Sequence, residues 1–151
     1  MKILVLLCFF FLSKPAVCQE FYLLIGTYDS PGREGIYIYR FNADNGTAKS
    51  VSHIKTSNPS YLTISNDERF VYSVNENGKN GKGGEITSLS FDKKNGRLSY
   101  INTQSSGGDH PCYIETDKTG KWVFTGNYSS GNLAVFRVNK AGALSPADTI
   151  I

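Results

Sequence analysis

The chain has 151 residues, a length suited to one domain, and its 40% hydrophobic and 13% aromatic content is ample for a core. Its formal net charge of +3 is small and evenly spread, with no block of five or six basic residues, so nucleic acid is excluded as an expected partner. Abundant glycine, tyrosine and phenylalanine beside a single methionine and a single tryptophan describe an all-β chain with many turns.

Residues 1–18 read as a secretory signal peptide. Lys2 precedes an apolar run from Ile3 to Leu12, and Ala16-Val17-Cys18 supplies the small-residue exit. The run is too short to span a bilayer comfortably, so the mature chain is expected to be exported, periplasmic or extracellular, without a transmembrane segment. Cleavage after Cys18 is the main expectation. A lipid anchor at Cys18 is the weaker alternative, because Val17 is larger than lipoprotein sites prefer. Cys8 and Cys18 leave with the leader, and Cys112 alone gives no disulfide framework, so stability must come from packing. Cys112 opens an apolar strand, where cysteine is expected to behave as a small hydrophobe. Neither a CxxC pair nor His/Cys ligand spacing occurs, so no metal is expected, and "GKGG" lacks the spacing of a nucleotide-binding loop. No cofactor is implied.

The remaining elements repeat. "FYLLIGTY", "GIYIYRFN" and "TAKSVSHI" are three strands, with "ADNG" turning between the last two. A fuller copy follows: "PSYLTIS", the turn "NDER", "FVYSVNE", a Gly-rich loop, "EITSLSFD", the turn "KKNG" and "RLSYINTQ". The next copy runs "PCYIETD", "KTGK", "WVFTGNY", a Ser/Gly loop, "NLAVFRVN", "KAG" and "ALSPADTI". Gly46, Gly96 and Gly142 fall in equivalent turns. Four short strands at a period of roughly fifty residues predict β-propeller blades, two complete and one without its innermost strand. A Greek-key β-sandwich is the competing architecture, but it does not account for a repeat of this length. Propellers have about four to eight blades, so residues 19–151 are expected to be the N-terminal blades of a longer domain. Assembly of short chains into a ring is the alternative.

Blade topology places the candidate site. The first strand lies nearest the axis and the second runs back antiparallel to it, so the start of one and the end of the other share a rim. Asn58-Pro59 and Asp109-His110-Pro111 lie at strand starts; Thr27-Tyr28, Asn75-Glu76 and Asn127-Tyr128 lie at strand ends. Polar groups thus converge on one mouth of the central channel, the usual place for a site on a rigid scaffold. His53 falls in an outer strand and is expected at the surface.

"GTY", "NPSYLTIS", "FVYSVNE", "FDKKNGRLSYINT", "GGDHPCYIETDKTGKWVFTGNYSSGNLAVF" and "AGALS" together resemble the lactonase-type seven-bladed propeller family, which includes the propeller form of 6-phosphogluconolactonase. The resemblance covers roughly Phe21 to Ile151. It implies a sugar-lactone hydrolase that works without a metal, a carboxylic ester hydrolase acting on a small-molecule sugar lactone. A non-catalytic exported propeller that binds carbohydrate or protein through the same rim is the second function class.

Lactone hydrolysis needs a base for water, donors for the carbonyl oxygen as it gains charge, and a subsite for hydroxyls or phosphate. Glu76 and His110 are the candidate catalytic residues, Glu76 as base and His110 as base or oxyanion donor. Tyr28, Asn75, Asn127 and Tyr128 are the candidate substrate-binding residues. For Asn127 and Tyr128 the competing reading is organisation of the "NYSSGN" loop, where Gly131 allows a tight turn. Lys79 and Lys82 could attract a phosphate.

Overall fold

A computed structural model describes residues 20–33, 35–78 and 83–151. The expected leader, Cys18 and the loop lysines Lys79 and Lys82 lie outside the described residues. Among the described residues, eleven strands fall into three antiparallel sheets in simple sequential order. The first holds β1 (Glu20–Gly26), β2 (Ile36–Asn42) and β3 (Ala48–Ile54). The second holds β4 (Leu62–Ile64), β5 (Phe70–Asn75), β6 (Glu85–Asp92) and β7 (Arg97–Ser105). The third holds β8 (Pro111–Thr116), β9 (Trp122–Asn127), β10 (Asn132–Val138) and β11 (Leu144–Ile150). These are the predicted propeller blades, and the first lacks an innermost strand among the described residues.

The core lies between blades rather than within one. Val71 of β5 packs toward the first blade with Ile36, Ile38, Leu89, Phe91 and Leu98, while Tyr72 and Val74 pack toward the third with Ile114, Val123 and Phe136. Both faces of β5 are therefore covered, which is why "VYSVN" is buried throughout and its apolar pattern does not alternate. The end blades behave differently. In β9 Val123, Thr125 and Asn127 are buried against the second blade, while Trp122, Phe124 and Gly126 on the other face are partly open. In β1 Tyr22 and Leu24 pack inward, and Phe21, Leu23 and Ile25 are exposed.

Turn chemistry follows the repeat. Gly46, Gly96 and Gly142 have φ of 72°, 62° and 82°, the left-handed region that glycine enters without a Cβ penalty. The last strand is irregular around Pro146: β10 and β11 shift register on both sides of Phe136, as expected where proline lacks an N–H on an edge strand.

Although it opens an apolar strand, Cys112 is exposed. Pro111 pairs with Asn127 and Tyr113 pairs with Gly126, so Cys112 is the extra residue of a β-bulge, and the bulge turns its side chain out of the interblade core.

Candidate active site at the channel rim

The rim is built from strand ends held by strand starts. The Glu76 amide donates to the Asn58 carbonyl at 2.9 Å, and in the next blade the Tyr128 amide donates to the His110 carbonyl at 3.0 Å. Asn58 and His110 thus occupy equivalent positions, each just before a proline. Both have left-handed backbones, with φ of 42° and 54°. Asparagine and histidine tolerate this region better than most residues, yet it is sparsely populated and clusters at functional sites. The second and third blades are cross-linked here, the His110 amide donating to the Asn77 carbonyl at 3.1 Å, and within the second blade the Asn58 side-chain amide donates to Asn77 Oδ1 at 2.6 Å. Asp29 and Asn58 exchange bonds, each backbone amide donating to the other's side-chain oxygen at 2.7 and 2.9 Å.

Glu76 is held from two blades. Tyr28 donates its phenol to Glu76 Oε2 at 2.7 Å, and the Ser60 hydroxyl donates to the same oxygen. The hydrogen bond to this carboxylate, reinforced by partial desolvation and by the carboxylate charge, raises the Tyr28 phenol above its ordinary value. Oε1 of Glu76 accepts nothing from the described residues. Tyr28 itself is 61% exposed, so the group stands at the channel mouth.

His110 is half-buried and seated against glycine. Its Nδ1 lies 2.9 Å from Ser129 Oγ, and a Cβ on Gly78 would come within 2.5 Å of its ring. The ring therefore occupies the space where any other residue at position 78 would carry a side chain. Next to it, the Asp109 amide donates to Ser130 Oγ at 2.7 Å, while Asp109 Oδ1 is buried with no partner among the described residues.

The structure brings Tyr28 and Glu76 into direct contact and sets His110 on the same rim, one peptide carbonyl from Asn77. It places the two asparagines beneath the rim. Asn75 is buried; its amide donates to Thr56 Oγ1 at 2.8 Å and the Ser57 carbonyl at 2.7 Å, and its oxygen accepts from Thr87 at 2.6 Å. Asn127 is buried and donates to the Ser106 carbonyl and to Asn132 Oδ1, both at 2.8 Å. These side chains hold the scaffold together. Tyr128 is 81% exposed at the rim. Gly131, at φ 64°, closes the following loop by donating to the Asn127 carbonyl at 2.9 Å. His53 lies on the surface, stacked on Tyr37 with centroids 5.5 Å apart. Sequence reasoning missed Ser60, Gly78 and Ser129. The repeat carried a usable signal for the serines, since Ser60 follows Pro59 and Ser129 follows Tyr128 at the two strand positions that form the rim.

Among the described residues no group of three or more His, Cys, Asp or Glu could hold a metal ion, and no helix is long and apolar enough to cross a membrane. A family model described as "Lactonase, 7-bladed beta-propeller" matches residues 22–151. The chain belongs to this family. A 6-phosphogluconolactonase of Bacillus subtilis is 32% identical over 124 residues, 80% of this chain and 34% of that protein. The solved periplasmic gluconolactonase of Pseudomonas aeruginosa is 38% identical with a TM-score of 0.81, covering 88% of this chain and 39% of that one. A Bacteroides fragilis structure solved as a candidate 6-phosphogluconolactonase is 41% identical, with a TM-score of 0.84 over 92% of this chain and 38% of that one. The chain thus spans about a third of the length of the curated lactonase relatives it matches.

Proposed function

We propose that these blades are the N-terminal part of an exported seven-bladed lactonase that opens a sugar lactone by attack of water, with Glu76 and His110 in the reaction. The observation that carries this reading is the convergence of Glu76, anchored through one carboxylate oxygen, and His110, fixed in a strained backbone, on a single channel mouth. In this mechanism Glu76 removes a proton from water as its oxygen attacks the lactone carbonyl carbon. His110 donates a hydrogen bond to the carbonyl oxygen while it carries negative charge. The tetrahedral intermediate collapses with cleavage of the ring C–O bond, and the leaving ring oxygen takes the proton held on Glu76, which yields the hydroxy acid and returns Glu76 to its carboxylate form. Tyr128, exposed beside His110, is placed to meet substrate hydroxyls.

Export is supported by the pattern of residues 1–18 and by the periplasmic location named for the Pseudomonas aeruginosa relative. The described rim carries Asp29, Glu76 and Asp109, so a neutral lactone and its phosphorylated counterpart belong in the same assay. In the full-length protein, Glu76→Ala and His110→Ala are each expected to lower lactone hydrolysis by about 10²–10⁴-fold, measured above the spontaneous rate. Unchanged rates in both variants would remove these residues from the mechanism. A full-length protein that never exceeds the blank on any sugar lactone would favour a carbohydrate- or protein-binding propeller instead.

A further inference from the structure

Two hydroxyls from different blades converge on one oxygen of Glu76, and the molecule contains its own control for what that means. Tyr28 lies two residues past the end of β1 and Ser60 at the start of the second blade's inner segment, and both donate to Oε2. In the third blade Tyr128 stands where Glu76 stands in the second, and Cys112 stands where Ser60 does. That blade forms the same strand end, with the same amide-to-carbonyl bond to the residue before proline, but carries Tyr128 and Cys112 at the positions of the carboxylate and the serine. The blade fold therefore does not require the arrangement.

We propose that Tyr28 and Ser60 are positioning residues for Glu76: they pin Oε2, fix the carboxylate plane and leave Oε1 as the oxygen presented to the attacking water. This rests on the lactonase reading of the rim. An unanchored glutamate side chain samples several rotamers, and each hydroxyl removes some of them before substrate arrives. Because one anchor comes from the first blade and the other from the second, the carboxylate is referenced to the junction between blades. The groups that face the Tyr28 phenol are Glu76, Ser60 and Cys112, and the carboxylate dominates.

The test uses full-length protein. Ser60→Ala and Tyr28→Phe are each expected to lower kcat about tenfold with KM within about twofold and unchanged melting temperature, and Ser60→Thr to restore most of the loss. A rise in KM with kcat kept would make Tyr28 or Ser60 a substrate contact and overturn the proposal. So would full kcat in both variants when Glu76→Gln is inactive, and that outcome leaves the lactonase reading intact. Hydrolysis by the unsubstituted protein no faster than the blank overturns both readings together. An ultraviolet difference titration, full-length protein minus Tyr28→Phe, reads the contact without activity. The Tyr28 phenol should ionise above free tyrosine and move down in Glu76→Gln, and a titration that Glu76→Gln leaves unmoved would overturn the clamp itself.

Discussion

At the scale of single residues, equivalent positions in two blades show what one missing partner does. Asn75 and Asn127 both lie buried at the end of the second strand of their blades. The oxygen of Asn75 accepts from Thr87, but the position equivalent to Thr87 in the third blade is Ala134, and Asn127 Oδ1 has no partner among the described residues. A buried acceptor without a donor carries its desolvation cost uncompensated. Thr87→Ala would put Asn75 in the same state. It is expected to destabilise the full-length protein by about 1–3 kcal/mol in denaturant unfolding, through the orphaned oxygen and the small void together. Thr87→Ser keeps the hydroxyl and should recover most of that loss. An equal loss in both variants would place the effect in packing alone.

At the scale of elements, the turn glycines link each blade to the one before it. A Cβ on Gly96 would come within 2.5 Å of the Tyr22 ring, and a Cβ on Gly142 within 2.3 Å of the Phe70 ring. Tyr22 and Phe70 occupy equivalent places in the second strands of successive blades, so the contact recurs with the repeat. Gly46 has the same backbone but nothing within 4 Å of its would-be Cβ. All three alanine substitutions meet the left-handed strain of about 1–2 kcal/mol. Those at 96 and 142 add a collision with a packed ring, of order 1–3 kcal/mol. Melting temperatures should therefore fall further for Gly96→Ala and Gly142→Ala than for Gly46→Ala, and equal falls would mean that the rings move aside freely. Such elements were readable from sequence because strand length, turn glycine and repeat period are local properties of the chain. The rim positions of Glu76 and His110 were readable too, since topology alone sends both to one mouth. The bulge at Cys112 was not, because its register depends on pairing with β9. Nor was the Tyr28–Glu76 contact, which joins residues 48 apart in different repeats and has no counterpart in the third blade.

At the scale of the molecule, the two outer faces of the three-blade stack decide how the chain must live. Phe21, Leu23 and Ile25 are 54%, 39% and 42% exposed on one face; Trp122, Phe124 and Val135 line an open surface on the other. On the middle blade the equivalent faces are buried against neighbours, so each outer face has the composition of a blade interface. Such patches on a soluble protein favour association, at roughly 25 cal/mol per Å² of apolar surface removed from water. Residues 19–151 produced alone are expected to self-associate in a concentration-dependent way, while a seven-bladed full-length protein stays monomeric by light scattering. Ile25→Lys separates the two situations because its effect should change sign. In the three-blade piece the lysine faces water and should reduce association. In a closed ring it is buried against the neighbouring blade without a partner, and should lower stability by several kcal/mol. If Ile25→Lys is harmless in the full-length protein, the face is solvent-exposed there, and the first blade does not meet another blade across it.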